Sequence, residues 1–279
     1  MMRGIFAFVF LGIAVVESYD KKYKTKEKTF EVEALDKSDQ HVHLYYPIGE
    51  DESVRFPFIS YAHGLFGGNE IDINGYYDFF HQLASYGFVV GAPASCNTGC
   101  EDHLNAPYTD CAGGPLPISE FKGWNSYFGE QFKTIEWARN MSNSSIFNTI
   151  DWSVGVGIAG HSMGGQATTQ SSHFECVKEW DIRASVIHHA APCDVFETQN
   201  AGSNITNVPL ASFTSSGDSC CEESTKKIYE AAKVKPKLYR DLKGWSHLEP
   251  VLIPPVENPK LVRACCCCPK KLSFHFFDT

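Results

Sequence analysis

Apolar residues along this chain fall into short, nearly unbroken runs, separated by segments with a helical rhythm. Thr29 to Leu35 and His41 to Pro47 alternate in a strand-like way and predict an antiparallel pair that opens the domain. Phe56 to Ala62, Phe88 to Ala92, Val154 to Ala159, Ala184 to His189 and Val208 to Thr214 are dominated by apolar and small residues, and Lys237 to Leu242 follows as a last strand. Runs this short and continuous predict strands covered on both faces. Between them, Asn74 to Tyr86 has helical spacing, with Tyr77, Phe80, His81 and Ala84 on one predicted face and Gly87 ending it. Trp124 to Asn140 repeats that spacing through Phe128, Phe132, Ile135 and Trp137, and Glu222 to Lys233 gives a further helix. Strands alternating with helices predict an α/β fold: a mostly parallel central sheet covered by helices on both faces.

Three stretches do not fit this rhythm. Arg3 precedes the apolar run Ile5 to Val16, and polar sequence follows from Glu17, the layout of a secretory signal peptide. Residues 1–18 are therefore expected to be removed, leaving a folded domain over 19–255 and a Cys-rich tail over 256–279. An uncleaved anchor is the alternative for the first segment; no other stretch approaches the length of a spanning helix. Residues 95–122 have no period and are dense in Gly, Pro, Cys and Asn. A structureless stretch this long is normally functional or disulfide-tied. It is expected to form a wall or partial lid over the site, with Tyr108, Phe121 and Trp124 available to line it and a link between two of Cys96, Cys100 and Cys111.

Composition narrows the partners. The chain has 279 residues, and a net charge of −9 argues against nucleic acid, whose phosphates need a basic surface. The sequons at Asn140, Asn143 and Asn204 and the eleven cysteines agree with a secreted, oxidising destination. Zinc is the sharper reading of the cysteine clusters, but the spacings do not form two C-x-x-C knuckles. Disulfides are the expectation, with at least one thiol left over or intermolecular because the count is odd.

The chemistry centres on Gly160-His161-Ser162-Met163-Gly164, placed between an apolar strand and a helix start at Gly165. A strand, a G-x-S-x-G turn and a helix form a nucleophile elbow, which holds a serine hydroxyl at its tip. Such a serine needs an imidazole as base and a carboxylate to orient that imidazole. In this arrangement the acid and then the histidine follow the serine along the chain, each in a loop after a strand. His247 follows the last strand in such a loop, whereas His173 is expected on the elbow helix, His188 and His189 within or at the end of a strand, and His275 in the tail. Asp218, after the strand Val208 to Thr214, is the expected acid, with Asp194 one strand earlier as its main rival. Glu222 and Glu223 open a helix, where carboxylates favour the N-terminal dipole for structural reasons.

An alkoxide developing at the substrate carbonyl needs preorganised N–H donors. The amide of Met163 is one candidate; the other lies in the glycine loop His63-Gly64-Leu65-Phe66, from Leu65 or alternatively Phe66. His63, His161 and Trp245 flank these groups and are candidate substrate-binding residues.

With these pieces together, the chain resembles the chlorophyllase-like and polyesterase-like, cutinase-related branch of the α/β-hydrolases over roughly residues 40–250. The resemblance rests on His63-Gly64-Leu65, on the stretch Leu83 to Val90, on Gly160 to Gly165, on Gly217-Asp218 and on the stretch Ser246 to Pro250. It implies the α/β-hydrolase fold and cleavage of carboxylic esters through an acyl-serine intermediate. Ser162 would be the nucleophile, His247 the base and Asp218 the orienting acid. The same resemblance implies no metal or organic cofactor, and a small-molecule or lipid-like ester as substrate. We expect a secreted monomer without a transmembrane span. A lipase, an enzyme like platelet-activating-factor acetylhydrolase, or a silent ligand-binding member of the fold are the alternatives. The chain departs from the polyester hydrolases in three places: Leu65 replaces an aromatic residue, the stretch His188-His189-Ala190-Ala191-Pro192 stands where they carry a tryptophan, and the 95–122 loop is longer. These departures bear on polymer hydrolysis rather than on ester hydrolysis.

Overall fold

The computed structural model describes residues 23–32, 41–49, 53–64, 74–94, 126–141, 145–191, 201–218, 221–243, 245 and 247. The first segment (1–18), the 95–122 loop, the tail, Leu65, Phe66 and Asp194 lie outside the described residues.

The described strands are β1 (Lys24–Glu31), β2 (His41–Ile48), β3 (Phe58–Ala62), β4 (Val89–Ala94), β5 (Val156–His161), β6 (Ile182–His188), β7 (Leu210–Thr214) and β8 (Lys237–Asp241). They form one sheet in the order β1-β2-β4-β3-β5-β6-β7-β8. The pairs β1–β2 and β2–β4 are antiparallel, and every pair from β4 through β3 to β8 is parallel. The continuous apolar runs are therefore the buried parallel strands: every residue of β3, β4, β5 and β7 is buried.

The helices are α1 (Tyr77–Ser85), α2 (Ser126–Asn140), α3 (Met163–Ser171), α4 (Phe174–Trp180) and α5 (Glu222–Ala231). Two separate cores sandwich the sheet. On one face Phe132, Ile135 and Ala138 of α2, Met163 and Ala167 of α3 and Ile228 of α5 pack on Phe58, Val89, Val156 and Ile158 and their neighbours. On the other face Phe79, Phe80, Leu83 and Ala84 of α1 cover Tyr45, Ile59, Tyr61 and Val90. Alternate residues of one strand serve opposite cores, as the period of a strand requires. Together these are the helices on both faces that the pattern predicts.

Three local expectations need correction. The opening strand runs over Lys24–Glu31 and not from Thr29, because it is an exposed edge strand set by its pairing with β2 and carries little burial pattern. The buried face of α1 is formed by Phe79, Phe80, Leu83 and Ala84, while Tyr77 is exposed and His81 only half-buried. A 3₁₀ turn over Asn74–Tyr76 precedes the helix, with Tyr76 stacked on Phe80 at 5.5 Å. Finally, α3 stops at Ser171, so His173 lies between α3 and the short helix α4, whose seven residues are too few to show a helical period.

Candidate active site

The strand β5 ends at His161, and α3 begins at Met163, which leaves Ser162 alone at the turn. Its backbone sits at φ 58° and ψ −117°, a conformation that costs a non-glycine residue about 1–3 kcal/mol and must be held by its surroundings. Two glycines allow that turn. A Cβ on Gly160 would lie 2.1 Å from the carbonyl oxygen of Gly164, and one on Gly164 would lie 2.0 Å from that of Ala62. Strand, turn and helix are so close that neither position has room for a side chain. The Ser162 N–H donates to the His188 carbonyl at 2.9 Å, and the Ser162 carbonyl accepts from Ala191 N–H at 2.9 Å, which pins the turn to the end of β6.

Ser162, His247 and Asp218 meet at the carboxyl ends of the parallel strands. Ser162 Oγ stands 2.9 Å from His247 Nε2, and His247 Nδ1 stands 2.7 Å from Asp218 Oδ2. All three are buried: Ser162 is 8% exposed, His247 3% and Asp218 0%. An ionised carboxylate only accepts hydrogen bonds, so Nδ1 of His247 must carry the proton. The lone pair of Nε2 is then directed at the serine hydroxyl, as a general base requires.

A second imidazole reaches the same carboxylate. His189 Nδ1 is also 2.7 Å from Asp218 Oδ2, and the Cys221 N–H donates to Oδ1 at 3.2 Å. Burial works against the charge on Asp218. The hydrogen bonds from His189 and His247, and the charges of those rings, outweigh it and hold the carboxyl well below the usual carboxylate range. The ligand atoms of His189, Asp218 and His247 lie within 4.8 Å of one another, the sort of grouping that binds a metal ion. Their 2.7 Å contacts are the spacing of N–H···O bonds between these groups.

A separate chain of hydrogen bonds ties the neighbouring loops together. His161 Nε2 lies 2.6 Å from the backbone carbonyl of His247, which can only accept, so Nε2 carries the proton. Nδ1 of His161 therefore accepts from the Tyr76 hydroxyl at 2.8 Å, and the Tyr76 oxygen accepts from Gly64 N–H at 2.9 Å. Burial, followed by the charges of His247 and His189, holds His161 far below the ordinary histidine value, so its ring is neutral. His188, buried and beside His189, is lowered to about 3.

Of the other residues expected at the site, Met163 opens α3 and is 5% exposed, and the first amides of a helix have no partner within it. Gly64 brings the loop after β3 against the serine: a Cβ there would lie 3.2 Å from Ser162 Cβ. His63 is fully buried and donates from Nδ1 to the Gly64 carbonyl at 2.7 Å. Both ring nitrogens of His161 are engaged within the protein, as described. Trp245 is 41% exposed, and its carbonyl accepts from Ser215 Oγ, fastening the histidine loop to the acid loop. Sequence reasoning set His189 aside as a strand residue and did not find Tyr76. Adjacent histidines at the end of a strand that neighbours the serine strand were the available signal for the first; Tyr76 gave none beyond its place in a helix pattern.

Comparison of the sequence with protein-family models and with curated proteins gives no match. Among the described residues, no helix is long and apolar enough to cross a membrane.

Proposed function

We propose that this chain is a secreted serine hydrolase of the α/β-hydrolase fold that cleaves carboxylic esters of small or lipid-like molecules. The observation that carries the reading is the continuous contact from Asp218 through His247 to Ser162, at 2.7 and 2.9 Å, on three loops at one end of a parallel sheet. The order Ser, Asp, His along the chain and the strained serine turn support it further.

In this mechanism His247 Nε2 takes the proton of Ser162 as Oγ attacks the ester carbonyl. Asp218 stabilises the imidazolium so formed and keeps it in register. The oxyanion is held by the Met163 amide and by an amide of the loop after Gly64, for which Leu65 is the candidate. Collapse of the tetrahedral intermediate expels the alcohol, which takes its proton from His247. Water, deprotonated by the same imidazole, then attacks the acyl-serine and releases the acid, returning the proton to Ser162.

A fluorophosphonate probe tests the assignment directly, because it labels only an activated serine. Labelling at Ser162, located by peptide mass spectrometry, and turnover of p-nitrophenyl esters of graded chain length are the expected results. A folded protein that neither labels nor turns over any ester of the series refutes the reading.

A further inference from the structure

His189 has no place in a three-residue serine mechanism, yet it is fully buried beside the acid and is held there at some cost. Its backbone lies at φ 45°, in the left-handed region, immediately after β6. Its N–H donates to the Phe213 carbonyl at 2.9 Å. The residues that follow are also fixed, since Ala190 N–H donates to Thr225 Oγ1 at 2.8 Å and Ala191 N–H to the Ser162 carbonyl at 2.9 Å. The ring is thereby anchored through β6, β7 and α5 at once. It is aimed at the oxygen of Asp218 that already receives His247.

We propose that His189 is a positioning residue for the acid: its Nδ1–H shares Asp218 Oδ2 with His247, fixing that oxygen and tempering its hold on a proton-bearing His247. This rests on the ester-hydrolase reading above. Both imidazoles must donate from Nδ1, because the carboxylate offers only lone pairs. Two donors on one oxygen divide its negative charge, so each feels a weaker acceptor than it would alone. When His247 takes the serine proton, the attraction available to the new cation is reduced by the bond to His189. The general base consequently remains deprotonated, and able to accept the serine proton, at a lower pH than with an unshared carboxylate.

Several titratable groups among the described residues face His189. Asp218 and His247 lie in the loops after β7 and β8, and His161 at the end of β5 has its ring centre 6.1 Å away. His188 precedes it on β6, Ser162 and Tyr76 stand on the far side of His247 and His161, and Cys221 meets the other carboxylate oxygen. His161 and His188 are both held neutral by burial, so neither adds a competing charge over the range in which such an enzyme works.

The test compares His189→Leu and His189→Gly, which lose the donor, with His189→Asn, whose amide nitrogen occupies the place of Nδ1. Glycine and asparagine both tolerate the left-handed backbone, so at least one variant of each kind is compatible with the turn. The rate of fluorophosphonate labelling is measured from pH 5 to 9 in each folded variant. The acid limb is expected to move up by about one pH unit without the donor and to return with asparagine. A purely structural role would lower the labelled fraction or the melting temperature without moving that limb. An unmoved limb in a folded donor-less variant, or an equal movement with asparagine, overturns the proposal. Failure of the wild-type protein to label at any pH refutes the hydrolase reading instead. Proton NMR then decides the shared carboxylate independently of activity: one low-field imidazole N–H resonance of the wild-type protein is expected to vanish in both His189→Leu and His189→Gly, and an unchanged set of resonances overturns it.

Discussion

His161 and His247 are joined by a bond of 2.6 Å from the Nε2–H of the first to the backbone carbonyl of the second. The residue before Ser162 thus fixes the backbone of the proposed base. Through Tyr76 it also fixes Gly64, which stands against Ser162. Three loops that share no sequence neighbourhood are held in one geometry by a neutral imidazole.

Tyr76→Phe removes the hydroxyl from the centre of that chain. The Gly64 N–H and His161 Nδ1 lose this partner inside the protein, which costs about 1–3 kcal/mol for a buried polar group. Turnover is expected to fall by about ten-fold to a hundred-fold, with the loss in kcat rather than KM. Steady-state kinetics and urea unfolding check both parts; unchanged kcat in a destabilised variant would confine Tyr76 to a structural role.

Ser162→Ala should abolish fluorophosphonate labelling and reduce ester turnover by about a million-fold. The backbone bonds of residue 162 to His188 and Ala191 do not involve the hydroxyl, so the melting temperature should change little. Retained turnover in this variant would remove Ser162 from the chemistry.

Asp218→Asn replaces an acceptor of two imidazole protons with a group that is half donor. His247 is expected to lose its tautomer, and turnover to drop by about ten-thousand-fold. The same change disturbs His189, so unfolding in urea should shift to lower concentration as well. A variant with full activity would place the acid elsewhere.

Stability should fall on acidification before carboxylates begin to titrate. His188 remains neutral in the folded protein down to about pH 3, whereas an unfolded histidine takes up a proton near about 6.5. Between those values the unfolded state binds more protons, so stability decreases as pH drops through this window. His161 acts in the same direction. Asp218, with its lowered carboxyl, adds a further loss as pH falls below about 4, where unfolded aspartate is protonated. His188 packs between Phe79 and Phe213, with ring centres at 5.8 and 5.0 Å, so His188→Phe is a reasonable replacement in volume and surroundings. Its melting temperature should decline less steeply than wild type from pH 7 to 5. Parallel slopes in thermal melts across that range would assign the acid sensitivity to other groups.

The local order of this chain was largely legible in its sequence. Short continuous apolar runs can be satisfied only by strands covered on both sides, and helical spacing between them leaves a layered α/β arrangement as the economical solution. The G-x-S-x-G turn was equally legible: Gly160 answers a contact with Gly164 that is local in sequence, although Gly164 itself is required by the distant backbone of Ala62. Edges were less so. β1 has little buried surface to impose a pattern, and in α1 the aromatic residues Tyr77, Phe79 and Phe80 lie on more than one face, so spacing alone did not single out the one buried by Phe79, Phe80, Leu83 and Ala84.

Tertiary structure alone decided what meets at the serine. Ser162 and His247 are 85 residues apart, and His247 and Asp218 are 29 apart, so chain order suggested the candidates while only the register of β5, β7 and β8 brings them within hydrogen-bond distance. The second imidazole on the acid was hidden for the same reason. In sequence His189 is the last residue of an apolar run; in space a left-handed turn at the end of β6 directs its ring to the carboxylate of Asp218, beside His247. Propensity and pattern act over a few residues, whereas a hydrogen bond between buried side chains depends on where the sheet places three separate strand ends.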